Sequence, residues 1–226
     1  MLTESPMPIN PKYLADFYDN GIFHVYNRTN NKELLFRNEE NYRFFLKKYS
    51  QYLSPFTDTY CWCLLPTHFH FLIRVKSYEA IQEHISSLVP ENLTPTEKSF
   101  LDQKLFTGEL LEKTFKRFFQ SYSQSFNKIH NRSGNLFYKP FKRVEIDKES
   151  QLTQSIVYIH SNPSKHKIIS DFTKYKWSSW HSILSDAPTQ LLRTEIIEWF
   201  GNKEQFIKAH HDISLYYHEC DTAIEE

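Results

Sequence analysis

Two consecutive runs, TDTYCWCLLP and HFHFLIRV, place the strongest constraint on the fold of this chain. Both are rich in β-branched and aromatic residues, which favour strands. Pro66 ends the first run, and only the short link Leu65-Pro66-Thr67 separates it from the second. The two runs are therefore predicted to pair as a hairpin.

The second run carries the pattern His-x-His. Because side chains alternate along a strand, His68 and His70 share one face, whereas Phe69, Phe71 and Ile73 share the other, which is the predicted core face. Two imidazoles side by side can hold one metal ion. On its own the pattern is weak, and a pair of partly buried structural histidines explains it as well.

The remaining periodicity predicts further strands in GIFHVYNRT and LFYKPFKRVEI. Helical spacing predicts four helices, in NEENYRFFLKKYSQYL, YEAIQEHISSLV, LLEKTFKRFFQSYSQSFNKIHN and KESQLTQSIVYIHSN. Asn38 should cap the first of them, and Pro163 should end the last. The order β-α-β-β-α-β-α favours an α+β fold. We expect a ferredoxin-like antiparallel sheet with helices packed on one face, plus a helical C-terminal extension that includes RTEIIEWFG and KEQFIKAHHD.

The charged residues are segregated, although the chain as a whole is neutral. Between Leu111 and Arg143 there are eight basic residues and one acid, and between Ser185 and Glu226 there are nine acids and three basic residues. A basic block of this kind predicts a face that binds a polyanion, although a solvated helix surface has the same composition. The candidate contacts are Arg28, Lys113, Lys116, Arg117, Lys128, Arg132, Lys139, Lys142 and Arg143.

The cysteines and the absence of a long apolar run bear on the cellular setting. Cys61, Cys63 and Cys220 form no disulfide framework, and neither a secretory signal nor a membrane span is visible. The expected setting is cytoplasmic, with no membrane partner. Cys61 and Cys63 share a strand face and could be offered as zinc ligands, but small buried cysteines are common in strands.

A second candidate feature is YIHSNP, near the end of the last predicted helix of the sheet domain. Tyr158 and Asn162 are one turn apart and share a helix face, so a phenol and an amide oxygen face the same way. Equally, Tyr158 could be a core residue and Asn162 could end the helix before Pro163.

Together these features resemble a known family. PTHFHFLI is similar to the His-hydrophobic-His motif of HUH-type nucleases, and YIHSNP resembles the tyrosine helix of single-tyrosine transposases, closest to the REP-associated tyrosine transposases. FHVYNRTNNKELLF, FKRFFQSYSQSFNKIHNRSGNLFYKPFKRVEI and YKWSSW fit the same family in the expected order. The resemblance predicts an N-terminal arm (1–20), an HUH-type domain (21–180) with a polar insertion (78–110), and an acidic helical extension (181–226).

The resemblance also implies an activity. His68, His70 and Asn162 would bind a divalent cation, Mg²⁺ or Mn²⁺, and Tyr158 would be the nucleophile. Members of the family cut single-stranded DNA near hairpins through a 5′-phosphotyrosine link and rejoin it. The implied function is thus a metal-dependent transposase and endonuclease acting in DNA recombination.

Two alternatives stay open at this point. One is a domesticated protein of the same fold that binds hairpin DNA without mobile-element activity. The other is an RNA-binding ferredoxin-like module with structural histidines. The sequence leaves open whether the protein is a monomer or a homodimer.

Overall fold

The structure is a computed structural model that describes residues 11–219, with side chains described up to residue 212. The first ten residues of the predicted N-terminal arm lie outside this range. So do residues 220–226 of the predicted extension, including Cys220. Within the described residues, no helix is both long enough and apolar enough to span a membrane.

The centre of the fold is a four-stranded sheet made of β1 (Ile22–Arg28), β2 (Thr57–Leu65), β3 (His68–Val75) and β4 (Lys142–Glu145). The strand order is β2-β3-β1-β4, and all pairs are antiparallel. This is the order of a ferredoxin-like sheet, so the predicted α+β fold class is confirmed. The predicted hairpin is present as β2 and β3.

Two helices cover the phenylalanine face of the sheet. They are α1 (Glu39–Leu53), which Asn38 caps by accepting a hydrogen bond from the Asn41 amide, and α4 (Thr107–Ile129). Phe69 and Phe71 are fully buried beneath them. The predicted apolar stripe of α4 is also buried: Phe115, Phe118, Phe119, Tyr122 and Phe126.

The predicted polar insertion contains two short helices, α2 (Tyr78–Ser86) and α3 (Pro95–Leu101). A capping box between Thr94 and Glu97 begins α3, which buries Phe100 against the main core. The segment is therefore a packed helical pair, although the boundaries proposed for it remain predictions.

The opposite face of the sheet is also covered, which corrects the expectation of helices on one face only. There α5 (Glu149–Lys165) lies against β2 and β3. A second core forms between these strands and α5, together with α6 (Trp180–Leu184), α7 (Arg193–Phe200) and α8 (Lys203–Glu219). Cys61, Cys63 and Leu72 supply apolar surface on this side of the sheet, which makes room for a second helical layer.

One prediction based on proline was wrong. Pro163 does not end its helix, because α5 continues to Lys165. Proline removes one helical hydrogen bond and crowds the carbonyl one turn earlier, and α5 accommodates both effects at the buried Pro163, two residues before the helix ends. The fourth strand is shorter than predicted, since it begins only at Lys142.

A chain of buried hydrogen bonds fixes α5 to its surroundings. His210 on α8 donates from Nδ1 to the Phe206 carbonyl, so its Nε2 accepts from Nδ1 of His160 at 2.9 Å. Nε2 of His160 then accepts from Ser179, at 2.8 Å, and the Ser179 hydroxyl accepts from the Trp62 amide. With both imidazoles neutral, the Phe206 carbonyl fixes the direction of the chain, and only one hydrogen can lie between the two rings, so both cannot be protonated together.

This chain predicts acid sensitivity. Burial lowers the pKa of His210 to about 3 and lowers that of His160 as well. Between about pH 3 and the unfolded value near 6.5, the unfolded chain binds more protons, so stability falls as pH falls. We expect His210 alone to contribute a loss of about 3 kcal/mol at pH 4 relative to pH 7.

Urea unfolding at several pH values measures this loss. In the variant His210→Gln the free energy of unfolding should vary less with pH, whereas His181→Gln, at an exposed position on α6, should follow the wild-type curve. Parallel pH curves for His210→Gln and the wild type would contradict the assignment.

Candidate functional site

His68 and His70 lie on the sheet face that α5 partly covers, called here the histidine face. The register places His70 opposite Tyr26 on β1 and Cys63 on β2, and places His68 opposite Arg28. The predicted same-face arrangement is present, and the two imidazole centroids are 5.3 Å apart. His70 is buried and His68 is half-buried.

Polar contacts at Nδ1 orient both imidazoles. Nδ1 of His70 lies 2.9 Å from Nε2 of His24 on β1, and Nδ1 of His68 lies 3.0 Å from the hydroxyl of Thr67. The Nε2 atoms of His68 and His70 are both buried. Hydrogen bonds at Nδ1 are the usual way in which proteins orient histidines that coordinate a metal through Nε2.

Tyr158 on α5 reaches the histidine face. Its ring is half-buried and meets the ring of His70 edge-on, with centroids 5.9 Å apart, and the ring of His24 at 6.0 Å. The ammonium of Lys165 lies 4.8 Å from the Tyr158 ring centroid. A phenol, an imidazole pair and a cation thus meet at the edge of the second core.

Asn162 lies one turn after Tyr158 and is fully buried. Its Nδ2 donates to the Tyr158 carbonyl at 3.0 Å, which fixes the orientation of the amide. Its Oδ1 is buried and accepts no hydrogen bond within the described part of the chain. An unsatisfied buried acceptor costs about 1–3 kcal/mol, so this oxygen suits a ligand that the bare protein does not supply.

The donor set restricts which cation would fit. Among the side chains that the structure describes, residues 11–212, no group of three or more His, Cys, Asp or Glu is arranged to hold a metal ion. A cation here would therefore need the Asn162 oxygen beside the two imidazoles, a set that fits Mg²⁺ or Mn²⁺, with imidazole favouring Mn²⁺. Burial raises the pKa of the Cys61 and Cys63 thiols, which disfavours the thiolates that zinc prefers.

Some of the predicted DNA contacts lie near this site. Arg28 is exposed, directly across from His68 in the sheet. Lys142 on β4 pairs with Tyr26, and its ammonium lies 5.5 Å from the Tyr26 ring centroid. Lys139 is also exposed, but it precedes β4 and lines a groove with Lys116 of α4 instead.

The cations of α4 are not near it. Lys113, Lys116 and Lys128 are exposed and Arg117 is half-buried, on a helix that packs against the phenylalanine face. The sheet therefore lies between them and the pair His68 and Tyr158. The sequence predicted one basic face, but the structure divides these residues between the two sides of the sheet, with Lys116 beside Lys139 at a groove next to α4.

Arg143 and Arg132 have structural contacts instead. Arg143 is buried, and its Nε donates to the Ala15 carbonyl while its Nη2 lies 3.6 Å from Glu112. Arg132 pairs with Glu33 at 2.6 Å and donates to the carbonyls of the turn that follows it. Both guanidinium groups make contacts within the fold, and burial leaves Arg143 little surface for DNA, while the assignment of both residues to DNA binding stays a prediction.

Three further residues that sequence reasoning left without a role lie at the site. They are His24, Lys165 and His166, whose ring is 4.7 Å from that of His68. The alternation of β1 already places His24 on one face with Tyr26 and Arg28. Its contact with His70 additionally requires the register between β1 and β3, which periodicity does not supply.

The division of the basic residues predicts a difference between two lysines. If DNA lies on the histidine face, Lys142→Ala should reduce the slope of log affinity against log salt by about 0.7, the contribution of one phosphate contact on a single strand. Lys113→Ala, on α4, should leave the slope unchanged. Fluorescence anisotropy over a salt series measures both, and the reverse ranking would place the phosphate contacts at Lys113 and not on the histidine face.

No protein-family model matches the sequence, and no curated protein matches it. Among solved structures, the chain is similar to a REP-associated tyrosine transposase bound to a REP hairpin, with a TM-score of 0.48 and 12% sequence identity. The match covers 77% of this chain and 87% of the other. Similarity at this level does not identify the activity of the present chain.

Proposed function

We propose that this protein is a metal-dependent endonuclease and strand transferase for single-stranded DNA that uses Tyr158 as its nucleophile. The observation that carries the proposal is the buried Oδ1 of Asn162, which accepts no hydrogen bond within the described part of the chain and lies one helical turn after Tyr158, whose ring meets that of His70. If Tyr158 were only a core residue and Asn162 only ended the helix, there would be no reason to bury the Asn162 Oδ1 without a hydrogen-bond donor.

The proposed reaction uses the Tyr158 hydroxyl as the nucleophile. The Tyr158 oxygen would form a bond to the phosphorus of the scissile phosphodiester as it loses its proton, and the 3′ oxygen would leave and gain a proton. The product is a 5′-phosphotyrosine and a free 3′-hydroxyl. The covalent link retains the energy of the broken bond, so the reverse attack by a 3′-hydroxyl can rejoin DNA without ATP.

The other residues would prepare this step. His68, His70 and Asn162 would hold a Mg²⁺ or Mn²⁺ ion, which would supply Lewis-acid polarisation of the phosphate. His24 would keep the proton of His70 on Nδ1 by accepting it in a hydrogen bond, so that Nε2 of His70 retains its lone pair. Lys165 would place a positive charge beside the phenol and the bound phosphate.

The proposal is tested by incubating the protein with hairpin DNA that carries a single-stranded flank, in the presence of Mn²⁺. We expect a covalent protein–DNA adduct that survives denaturing electrophoresis and maps to Tyr158 by mass spectrometry. Tight hairpin binding without any adduct would favour the DNA-binding alternative. Preference for RNA, again without an adduct, would favour the RNA-binding module.

A further inference from the structure

A groove of about 800 Å³ opens between α4 and the segment 134–141. Its volume falls in the range of pockets that hold small organic ligands. Buried aromatic rings form its apolar base, namely Phe119, Phe137 and Phe141. The Tyr138 ring, 45% exposed, stands at its side.

Amide side chains form much of the groove's rim. Gln120 and Gln124 are exposed on successive turns of α4 and line the groove together with Asn135. Two other amides keep its walls in place: Asn27 donates to the Tyr138 carbonyl at 3.1 Å, and Asn127 donates to the Gly134 carbonyl at 3.0 Å. Glutamine and asparagine are both donor and acceptor, which suits the edges of nucleobases.

The charges at the groove favour a phosphate-bearing ligand. Lys116 and Lys139 lie on its rim. The one carboxylate that lines it, Glu112, is held by Lys116 at 2.6 Å and by Arg143 at 3.6 Å, and these cations keep the pKa of Glu112 below its usual range. Because Glu112 is already paired with Lys116 and Arg143, Lys139 adds a further positive charge to the groove.

The groove is connected to the histidine face. The guanidinium of Arg28 lies over the Tyr138 ring, 4.7 Å from its centroid, and Arg28 is opposite His68 in the sheet register. The Tyr138 amide also donates to the Arg28 carbonyl at 3.0 Å. A strand that passes His68 can therefore follow Arg28 and Tyr138 into the groove.

We infer that this groove binds an unpaired base of the DNA strand that crosses the histidine face. The base would stack on the aromatic side chains, and the glutamines of α4 would contact its edge. The inference rests on the proposed function for its ligand, single-stranded DNA. It assigns other residues, those of the groove, to a binding step that precedes cleavage.

DNA binding is measured with the Tyr158→Phe protein in the presence of EDTA, because this protein lacks the proposed nucleophile and EDTA removes divalent cations, so that no cleavage can occur. The probes are a fluorescent hairpin DNA with a short unpaired tail and the same hairpin without the tail. We expect the double variant Gln120→Ala/Gln124→Ala to bind the tailed hairpin about tenfold more weakly, the size expected for loss of the amide contacts, and the tailless hairpin as before. Gln51→Ala, an exposed glutamine on α1, is the matched control and should change neither.

A second measurement does not depend on any groove substitution. With 5-iodouracil in the unpaired tail, irradiation should crosslink the DNA to Tyr138 or to a neighbouring aromatic residue of the groove. Unchanged affinity of the double variant for the tailed hairpin, or crosslinks confined to residues elsewhere, would overturn the inference. Failure here would leave the adduct test of Tyr158 unaffected, and a missing adduct would leave this binding result standing.

Discussion

Replacing Tyr158 with phenylalanine should abolish the covalent adduct and reduce DNA cleavage by more than about a thousandfold, because the nucleophilic oxygen is lost. The fold should survive. The phenylalanine ring keeps the edge-on contacts with His70 and His24 and its place beneath the Lys165 ammonium. If Tyr158 were only a packing residue, the substitution would cost at most about 1 kcal/mol and cleavage would persist.

Other tyrosines near the site provide the controls. Tyr138 is exposed beside Arg28, and Tyr175 is buried with its hydroxyl donating to the Leu64 carbonyl at 2.8 Å. Tyr138→Phe and Tyr175→Phe should both still form the adduct, although Tyr175→Phe should be less stable because it loses a buried hydrogen bond. Hairpin binding by Tyr158→Phe should stay near wild type. A folded Tyr158→Phe protein that still forms a phosphotyrosine link would assign the nucleophile to another tyrosine.

The second large effect is expected from His68→Ala, which should weaken Mn²⁺ binding at least tenfold and slow cleavage while Tyr158 remains in place. His68 is the better of the two histidines to replace. It is half-buried, whereas His70 is buried and bonded to His24, so that truncating His70 would also disturb the second core. Isothermal titration with Mn²⁺ in the absence of DNA measures the ligand role separately from activity.

His84→Ala, on α2, is the matched control and should leave Mn²⁺ affinity unchanged. Raising the Mn²⁺ concentration should restore part of the cleavage by His68→Ala but none by Tyr158→Phe. Equal Mn²⁺ affinity of His68→Ala and the wild type would rule out His68 as a ligand. An equal loss in His166→Ala would add a ligand from the end of α5, since the His166 ring lies 4.7 Å from that of His68.

Periodicity was enough to predict much of the fold. Strand alternation correctly separated Phe69, Phe71 and Ile73 from the two histidines, and helical spacing found the apolar faces of α1 and α4. The pairing of β2 with β3 then followed from their short connection. These features depend on residues close in sequence, which is why the sequence alone was sufficient.

Contacts between distant residues were harder to predict. Arg143 is buried because Glu112 and the Ala15 carbonyl lie around it, and Arg132 is fixed by Glu33. A count of charges cannot distinguish such a cation from one that faces solvent. Likewise, the amphipathic pattern of α4 indicates which side of the helix is buried but not which face of the sheet it covers. The contacts of His24 and Lys165 with the candidate site depend on strand register and on the docking of α5.

The uneven burial of the histidine face has a consequence for the approach of a substrate. Side chains on this face are fully buried at Cys63 on β2 and at Leu72 on β3, but half-exposed at His24 and Tyr26 on β1 and at Lys142 on β4. The half-exposed region is two strands wide, about 10 Å at the usual strand spacing. β4 is an edge strand and α5 covers β2 and β3, so the half-exposed region is open along the β4 edge of the sheet. Under the proposed function, a flexible unpaired strand would therefore approach Tyr158 from that open edge rather than across β2.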